Sequence, residues 1–271
     1  MEVKTSIVRD ETAARQKRAS SLVGDALEPK KVLVIDIGGT SVKLLVSGQH
    51  ERRMFPSGPK MMPDKMVGKT LEMVADWDYS VVSIGYPGPV LRGRPICEPY
   101  NLEAGWVGFN FAAAFHRPVK VANDAVMQAL GCYNGGSMLF LGLGTGLGTA
   151  MIVDGIVEPM ELGHLPYKKA TYEDYLGRAG LKRLGKKRWR HHVEDVVQRL
   201  IAALEPDDVV IGGGNAKKLK TLLPACRAGD NNNAFLGGFR LWEEPRQATR
   251  TVFQASRGDG RSGEAYPTVA P

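Results

Sequence analysis

The stretch Val32–Thr40 reads VLVIDIGGT, an apolar run that ends in an acid and a pair of glycines. The run Val32–Ile35 predicts a buried strand, and Gly38-Gly39 predicts the turn that follows it. Because glycine has no Cβ atom, backbone N–H groups in such a turn can approach phosphate oxygens closely. Asp36 at the strand end is a candidate Mg²⁺ ligand, directly or through water. An ordinary β-hairpin with a convenient acid would fit the same residues.

A second glycine-rich turn, Gly142–Gly148 (GLGTGLG), lies between two further apolar stretches. Its glycines do not fit the GxGxxG pattern of a dinucleotide site, and no Lys-Ser/Thr pair follows as a P-loop requires. We therefore predict a β-hairpin in which Gly144, Thr145 and Gly146 cap a phosphate. A merely flexible turn is the weaker interpretation, because four glycines cost chain entropy on folding.

Strand and turn patterns predict two α/β halves built on one plan, each with a buried strand, a glycine turn and a returning strand. In the first half, strands are predicted at 41–47, 49–55 and 79–84, with a helix at 63–75. In the second half, strands are predicted at 119–122, 137–141, 149–153 and 209–211, with helices at 124–133, 171–184, 190–204 and 216–223. Asp154-Gly155 predicts a hairpin turn. No short-period repeat is present, which excludes a solenoid.

Composition and length are those of an ordinary globular protein. The chain has 271 residues, enough for two lobes of roughly 100 residues each. Its apolar runs are too short for a membrane span, and its N-terminal residues lack the apolar segment of a signal peptide. Cys97, Cys132 and Cys226 form neither a CxxC pair nor an even set, which predicts free thiols and a cytoplasmic location.

The net charge of +7 is concentrated between residues 168 and 192. Nine Lys or Arg stand there against two acids, and nine minus two equals the excess of the whole chain. We call these nine residues the basic stretch: Lys168, Lys169, Arg178, Lys182, Arg183, Lys186, Lys187, Arg188 and Arg190. A local field of this sign favours polyanions, although a solvated helix face is the commoner role of such runs.

Two further polar groups lie near predicted strand ends. Asn123-Asp124 follows the strand at 119–122, and Asp124 is either a helix N-cap or a general base that accepts the proton of a sugar hydroxyl attacking phosphorus. Glu161 and His164 stand three residues apart around a glycine. No cysteine is near enough to complete a zinc site. Hydrogen bonding to sugar hydroxyls is therefore favoured for this pair, and a plain surface turn stays open.

Taken together, these residues resemble the ROK family (repressor, open reading frame, kinase) of actin-like sugar kinases. The resemblance covers about Lys31 to Glu244 and is carried by seven motifs in order. They are Asp36–Thr40, Gly85–Pro89, Asn101 to Trp106, Asn123-Asp124, Gly142–Gly148, Glu161–His164 and Gly212–Gly214. The resemblance implies an α/β, two-lobed actin-like ATPase (ribonuclease H-like) fold with the active site in the interlobe cleft.

Composition and the resemblance together predict a division of the chain into four parts, with the tails predicted from their composition. Residues 1–30 and 246–271 are expected to be mobile tails. Residues 31–117 are expected to form an N-terminal lobe with the first phosphate turn and the sugar loops. Residues 118–245 are expected to form a C-terminal lobe with the catalytic acid, the second phosphate turn and the donor region.

Roles for individual residues follow from the family's motifs. Asp124 is implied as the catalytic base, and Asp36 as the residue beside Mg²⁺. The implied sugar-binding residues are Asn101, Gly105, Asn123, Glu161, His164 and Glu173. The implied donor-binding residues are Gly38, Gly39, Thr40, Lys43, Gly144, Thr145, Gly146, Gly213 and Gly214.

One departure from the family pattern narrows the prediction. Zinc-containing members carry C-x-C-G-x-x-G-C before the sugar-binding Glu, and this sequence lacks those cysteines. Glu173 within Tyr172–Tyr175 matches that Glu after a shortened loop, so we predict no structural zinc. The chain then resembles the compact subgroup of polyphosphate glucokinases and polyphosphate/ATP glucomannokinases.

The resulting hypothesis is a hexokinase-type enzyme that phosphorylates glucose, and possibly mannose, at the 6-hydroxyl with inorganic polyphosphate, ATP or both. An ATP-only kinase for another hexose or an N-acetylhexosamine is an alternative. A sugar-sensing transcriptional regulator is disfavoured, because its winged helix needs roughly 60–80 residues before the first phosphate motif. We expect a cytoplasmic homodimer that binds no specific nucleic acid and no membrane.

Overall fold

The computed structural model describes residues 30–230 and 232–243. The predicted tails, apart from residue 30, lie outside the described residues. Two five-stranded sheets with the same strand order form the framework. This arrangement confirms the prediction of two α/β halves built on one plan.

The first sheet has the order β3-β2-β1-β4-β7. Its first three strands are antiparallel neighbours, and β4 and β7 continue parallel to β1. The elements of this half are β1 (Val32–Ile37), β2 (Ser41–Val46), β3 (Arg53–Pro56), α1 (Pro63–Met73), β4 (Val81–Tyr86), β5 (Val90–Leu91), β6 (Arg94–Pro95), α2 (Phe111–Phe115) and β7 (Val119–Asn123). The buried run at the start of β1 explains its central position, since both of its faces are covered.

The second sheet repeats the plan in the order β10-β9-β8-β13-β14. Its first three strands are antiparallel and β13 and β14 run parallel to β8. The elements are α3 (Asp124–Cys132), β8 (Ser137–Leu143), β9 (Leu147–Val153), β10 (Ile156–Met160), β11 (Pro166–Tyr167), β12 (Ala170–Thr171), α4 (Tyr172–Leu176), α5 (Arg178–Leu204), β13 (Asp208–Gly212), β14 (Cys226–Ala228) and α6 (Asn233–Arg240). Short 3-10 helices lie at Leu162–His164 and Ala216–Lys218.

Each glycine turn connects the first two strands of its sheet. Gly38 to Thr40 joins β1 to β2, and Gly144 to Gly146 joins β8 to β9. The two turns therefore occupy equivalent places in the two sheets.

Helices α3 and α6 lie between the sheets. Residues of both helices share one apolar cluster with Val34 of β1 and Phe140 of β8. Ser83 of β4 donates its Oγ hydrogen to the Gly238 carbonyl of α6 at 2.6 Å. The end of the described chain thus returns to the first sheet, and that sheet continues through β7, past the expected lobe boundary at 118.

Several secondary-structure predictions were wrong in detail. The helix expected at 216–223 is only the 3-10 turn Ala216–Lys218, and the backbone is already extended at Leu219. The helix expected at 171–184 is divided between α4 and α5, and Gly185 interrupts α5 with φ 73°. The strand expected from residue 49 begins at Arg53, and neither β14 nor α6 was predicted.

The crossing of α3 and α6 requires glycine. A Cβ atom added to Gly237 would collide with the Met127 carbonyl of α3. Backbone atoms cannot rotate aside as a side chain can, so we expect Gly237→Ala to lower the melting temperature by several degrees. The matched control is Gly68→Ala in α1, where a Cβ meets nothing within 4 Å. Since alanine favours helix, that control is expected to be neutral or slightly stabilising in the same calorimetric scan. Equal effects of the two changes would contradict a tight crossing.

Candidate active site

The first glycine turn is held by backbone bonds and by β3. Gly38 donates its N–H to the Ser41 carbonyl at 2.9 Å, and Ser57 donates its Oγ hydrogen to the Gly38 carbonyl at 2.6 Å. A Cβ added to Gly39 would lie 3.1 Å from the Asn101 Cβ. The predicted sugar loop therefore packs directly on the predicted phosphate turn, and the exposed Thr40 lies at the end of that turn.

Asp36 and Lys43 face each other across the β1–β2 pair. The Lys43 Nζ donates to the Asp36 Oδ2 at 3.0 Å, and the Asp36 side chain is 13% exposed. Lys43 was predicted to bind the donor, and here it neutralises the acid at the end of β1. Mg²⁺ bound with phosphates commonly needs only one or two protein carboxylates and keeps several waters, so the single acid at this turn fits that ion.

The loop from Asn101 to Gly105 is organised by one carboxylate. Glu98 accepts the backbone N–H groups of Gly105, Trp106 and Val107 at 3.1, 3.0 and 3.3 Å. Gly105 has φ +106°, which explains why glycine stands there. Trp106 is fully buried, so the loop is anchored beside the first turn.

Asn123, rather than Asp124, caps helix α3. Its Oδ1 accepts the N–H groups of Ala125 and Val126 at 2.9 and 3.4 Å, and its Nδ2 donates to the Gly88 carbonyl at 3.0 Å. Asp124 is the first residue of the helix. The N-cap role considered for Asp124 therefore belongs to Asn123, and the general-base role stays a prediction for Asp124.

The Asp124 carboxyl is shifted toward neutrality. The pKa of Asp124 is raised from 3.8 to about 7, mainly by burial and in addition by the carboxylates of Asp36 and Glu161. The hydrogen bond from the Ala125 N–H, at 2.8 Å, opposes the shift and is outweighed. A carboxyl whose pKa lies near 7 suits proton transfer at neutral pH. Strongly perturbed carboxyls of this kind are concentrated at functional sites.

The second and third glycine turns lie against each other. Asn215, which follows Gly212–Gly214, donates its Nδ2 hydrogen to the Gly144 carbonyl at 2.8 Å and its backbone N–H to the Leu143 carbonyl at 2.9 Å. Arg178, the first residue of α5, donates its N–H to the Thr145 carbonyl at 2.9 Å. The predicted donor residues of both turns are thus brought together at the start of α5.

Glu161, His164 and Glu173 form one group of interacting charges. The pKa of Glu161 is raised by burial, lowered by His164 and raised by Glu173. Glu173 lies against Gly146, where a Cβ atom would strike its carboxylate, and its Oε2 accepts the Leu147 N–H at 3.1 Å. The negative charge of Glu161 also raises the pKa of Asp124, as that of Asp36 does. Acids from both sheets therefore lie close together near the first and second turns.

An open pocket of about 260 Å³ adjoins this group. Asn123 and Glu161 line it together with the apolar side chains of Val90, Ile96 and Met160. Within residues 30–230 and 232–243, no three His, Cys, Asp or Glu side chains lie close enough to hold one metal ion. In the same part of the chain, no helix is long and apolar enough to span a membrane.

Three supporting residues were not predicted from the sequence. Asn215 fixes the second turn, Glu98 fixes the Asn101 loop, and Thr149 bonds both peptide groups that flank Glu161. The position of Asn215 directly after a glycine run at a strand end is a signal that could have identified it. Glu98 and Thr149 carry no such signal, because their partners are distant in sequence.

Comparison with known proteins agrees with this geometry. The family model described as "ROK family" matches residues 32–177, more than half of the chain. This chain belongs to the ROK family. The family assignment made from the seven motifs is thereby confirmed.

Two relatives and one solved structure illustrate the similarity. The chain is 29% identical to the polyphosphate glucokinase of Mycobacterium leprae over 215 residues, covering 70% of this chain and 65% of that protein. It is 27% identical to the polyphosphate glucokinase of Mycobacterium tuberculosis over 216 residues, covering 70% of this chain and 80% of that one. The alignment thus spans slightly less than two thirds of the M. leprae protein.

The solved structure is an inorganic polyphosphate/ATP-glucomannokinase from Arthrobacter sp. strain KM. It superposes with a TM-score of 0.67 at 24% identity and covers 78% of this chain and 97% of that one. The fold of this ROK protein is therefore the two-lobed, actin-like α/β fold that the motifs implied.

The unusual pKa of Asp124 has a measurable consequence for stability. Its folded value of about 7 lies above its ordinary value of 3.8, so the folded state binds the proton more tightly and loses stability as pH rises through this interval. We expect the melting temperature of Asp124→Asn to be close to that of the wild type near pH 4 and higher than that of the wild type at pH 8. Carboxyl ¹³C NMR should show Asp124 titrating near pH 7, and Asp36→Asn should lower that value. Titration of Asp124 near pH 4 would contradict the arrangement.

Proposed function

We propose that this ROK protein is a hexokinase-type phosphotransferase that phosphorylates glucose at the 6-hydroxyl, with mannose as a second candidate acceptor. The donor is inorganic polyphosphate, ATP or both. The observation that carries the proposal is the Asp124 carboxyl, tuned toward neutral pH at the N-terminus of α3 among acids from both sheets. The similarity to two polyphosphate glucokinases supports the same reading.

On the acceptor side, Asp124 takes the proton of the attacking hydroxyl. A base with a pKa near 7 is largely ionised just above neutrality, yet still basic enough to accept a proton in the transition state. Asn101, Gly105, Asn123, Glu161, His164 and Glu173 are proposed to orient the sugar. Asn123 uses its side chain to fix the helix and the Gly88 loop, so we propose that its role toward the sugar is mainly the placement of Asp124.

On the donor side, we propose that both glycine turns present backbone N–H groups to phosphate oxygens. The N–H groups of Gly38 and Gly144 are excepted, because they bond the Ser41 and Gly146 carbonyls. Phosphoryl transfer requires mostly positioning and charge stabilisation, which such amides supply without covalent chemistry. Gly38, Gly39, Thr40, Gly144, Thr145, Gly146, Gly213 and Gly214 are the proposed donor residues. Asp36 would hold Mg²⁺, which supplies neutralisation of the donor's phosphates. Lys43, which pairs with Asp36 at 3.0 Å, is also proposed to contact the donor.

The basic stretch supports polyphosphate as a donor. Lys182, Lys186 and Lys187 are exposed on α5, which begins at the Thr145 carbonyl. Arg190 donates its Nε hydrogen to the Lys218 carbonyl at 2.8 Å, so the lysines after the third glycine turn lie beside the same helix. Two chain segments thus present positive charge next to the second and third turns, which suits a repeating anion.

The alternatives differ in what a purified protein would do. A coupled assay over a panel of hexoses and N-acetylhexosamines, with polyphosphate or ATP and with or without Mg²⁺, separates the proposed enzyme from an ATP-only kinase. A sugar-dependent shift of a specific DNA fragment, without phosphoryl transfer, would favour a regulator instead. The cytoplasmic location, the homodimer and the absence of a structural zinc stay predictions.

Removal of the proposed base should separate chemistry from binding. We expect Asp124→Asn to lower kcat by at least a hundredfold, since general-base catalysis contributes about 10²–10⁴. Glucose should still bind in calorimetry. The control is Asp154→Asn, an exposed carboxylate on the β9–β10 hairpin with φ 50°, a conformation that Asn tolerates. Near-normal turnover of Asp124→Asn would remove Asp124 as the base.

Neutralising the basic stretch should affect one donor more than the other. We expect Lys182→Gln, Lys186→Gln and Lys187→Gln together to raise KM for polyphosphate far more than KM for ATP. Arg183 is left unchanged, because it donates to the Asp174 carbonyl at 2.9 Å and its loss would disturb α4, which carries Glu173. The matched control replaces Lys60, Lys65 and Lys69, three exposed lysines at α1. Equal effects on both donors, or an equal effect of the control, would contradict the polyphosphate role.

A further inference from the structure

Thr149 of β9 is a polar residue buried in the second sheet. Its side chain is 3% exposed. Its Oγ1 donates to the Met160 carbonyl at 2.5 Å and accepts the Leu162 N–H at 3.1 Å. One hydroxyl therefore bonds both peptide groups that flank Glu161.

These two bonds fix the backbone at Glu161 from both sides. Met160 ends β10 directly opposite Thr149 in the strand register, and the 3-10 helix begins at Leu162. Glu161 lies between them with φ −115° and ψ 52°, outside both regular conformations, and its side chain makes no capping bond. Because one peptide group defines φ and the other ψ, a hydroxyl that holds both restrains the direction of the Glu161 side chain.

Strand β9 also contacts the second acid of the proposed sugar site. Leu147, two residues before Thr149, donates its N–H to the Glu173 Oε2 at 3.1 Å. The same short strand leaves the second glycine turn, where the donor is proposed to bind. It is therefore the element that relates the donor turn to both acids of the acceptor group.

We propose that Thr149 is a positioning residue for the acceptor sugar. Its hydroxyl holds the backbone on both sides of Glu161, so that the carboxylate meets a sugar hydroxyl in the geometry that transfer requires. The inference rests on the proposed function, because it assumes that Glu161 contacts the sugar. It assigns Thr149 no contact with either substrate.

A positioning role and a merely structural role predict different kinetics. A residue that holds Glu161 acts on sugar binding, so its loss raises KM for glucose and leaves KM for the donor nearly unchanged. A residue needed only for stability lowers the melting temperature and affects both substrates alike. The two roles also predict different results in a double-mutant cycle. If Thr149 acts through Glu161, its replacement has little further effect on the KM for glucose once Glu161 has been replaced.

The experiment compares Thr149→Val with Thr149→Ser, Glu161→Gln and the double variant Thr149→Val/Glu161→Gln. Valine keeps the shape and removes the hydroxyl, whereas serine keeps the hydroxyl. The matched control is Thr70→Val in α1, since Thr70 is also fully buried and its hydroxyl contacts only the Met66 sulfur, at 3.5 Å, among the hydrogen bonds of the described residues. Steady-state kinetics with the better donor, glucose calorimetry and thermal melts are measured for each protein.

We expect Thr149→Val to raise KM and Kd for glucose by about tenfold, the order expected when buried partners lose a hydrogen bond. The KM for the donor should change by less than about twofold if only sugar binding is affected. Thr149→Ser should restore most of the glucose affinity, Thr70→Val should resemble the wild type, and Thr149→Val should add little to Glu161→Gln. If Thr149→Val does not fold, Thr149→Cys, with its weaker hydrogen bonding, is expected to show the same division between the two KM values.

Three outcomes would overturn the proposal: an unchanged glucose KM, an equal rise of both KM values, or full additivity with Glu161→Gln. A wild type that phosphorylates glucose, paired with any of these outcomes, contradicts the positioning role alone. A wild type that phosphorylates no sugar with either donor contradicts the proposed function, and the positioning role with it.

Discussion

The candidate site depends on one local interaction at the junction of β7 and α3. The Asn123 side chain caps the helix and also bonds the Gly88 carbonyl. Because a helix needs only one capping side chain at this position, the next residue is released from that task. Asp124 can then keep its carboxyl in a poorly hydrated place facing Asp36 and Glu161. Like charges brought together in this way lower the stability of the folded state, so the surrounding fold must compensate for them. Such a cost is common at sites where stability has been exchanged for activity.

The repeated sheet plan explains how acids from distant parts of the chain reach this junction. Asp36 lies at the end of β1, one strand away from β7, since β4 pairs with both. The second turn begins a strand that contacts Glu173 and the backbone around Glu161. The apolar cluster of α3 and α6 lies between the two sheets. The two glycine turns, the acids Glu161 and Glu173 and the Asp124 carboxyl are thereby parts of one connected framework rather than separate loops.

The sequence predicted well wherever short-range chemistry decides the structure. The apolar run of β1, the glycine turns and the Asp154-Gly155 hairpin were found from local patterns, and all are present. Predictions failed where tertiary contacts decide. The helix expected after Ala216 does not form, although its apolar residues still pack on the apolar cluster that includes Leu141 of β8 and Trp189 of α5. Helix α6 was missed because its two glycines, unfavourable for a helix, are required by the close approach to α3 and β1.

The same limit applies to the candidate site. Acids and glycines at strand ends could be named from the sequence, since residue type and position both signal their chemistry. Thr149 and Glu98 could not, because a threonine within a strand and an acid within a loop are common. Their importance appears only when the partners, Glu161 and the loop at Gly105, are brought beside them.

Acidic and basic side chains lie on different sides of the candidate site, and this distribution affects which phosphoryl donor the protein would attract. The proposed acceptor side contains Asp124, Glu161 and Glu173, whose carboxylates would repel an approaching phosphate. Arg178 of the basic stretch lies next to the second turn, where its N–H bonds the Thr145 carbonyl. Exposed charges act over roughly 8 Å at physiological ionic strength, so lysines along α5 can attract a long anion only if it extends away from the cleft. ATP carries its charge at one end, whereas polyphosphate carries it along its whole length. The length of the basic stretch would therefore matter much more for a polyphosphate donor than for ATP.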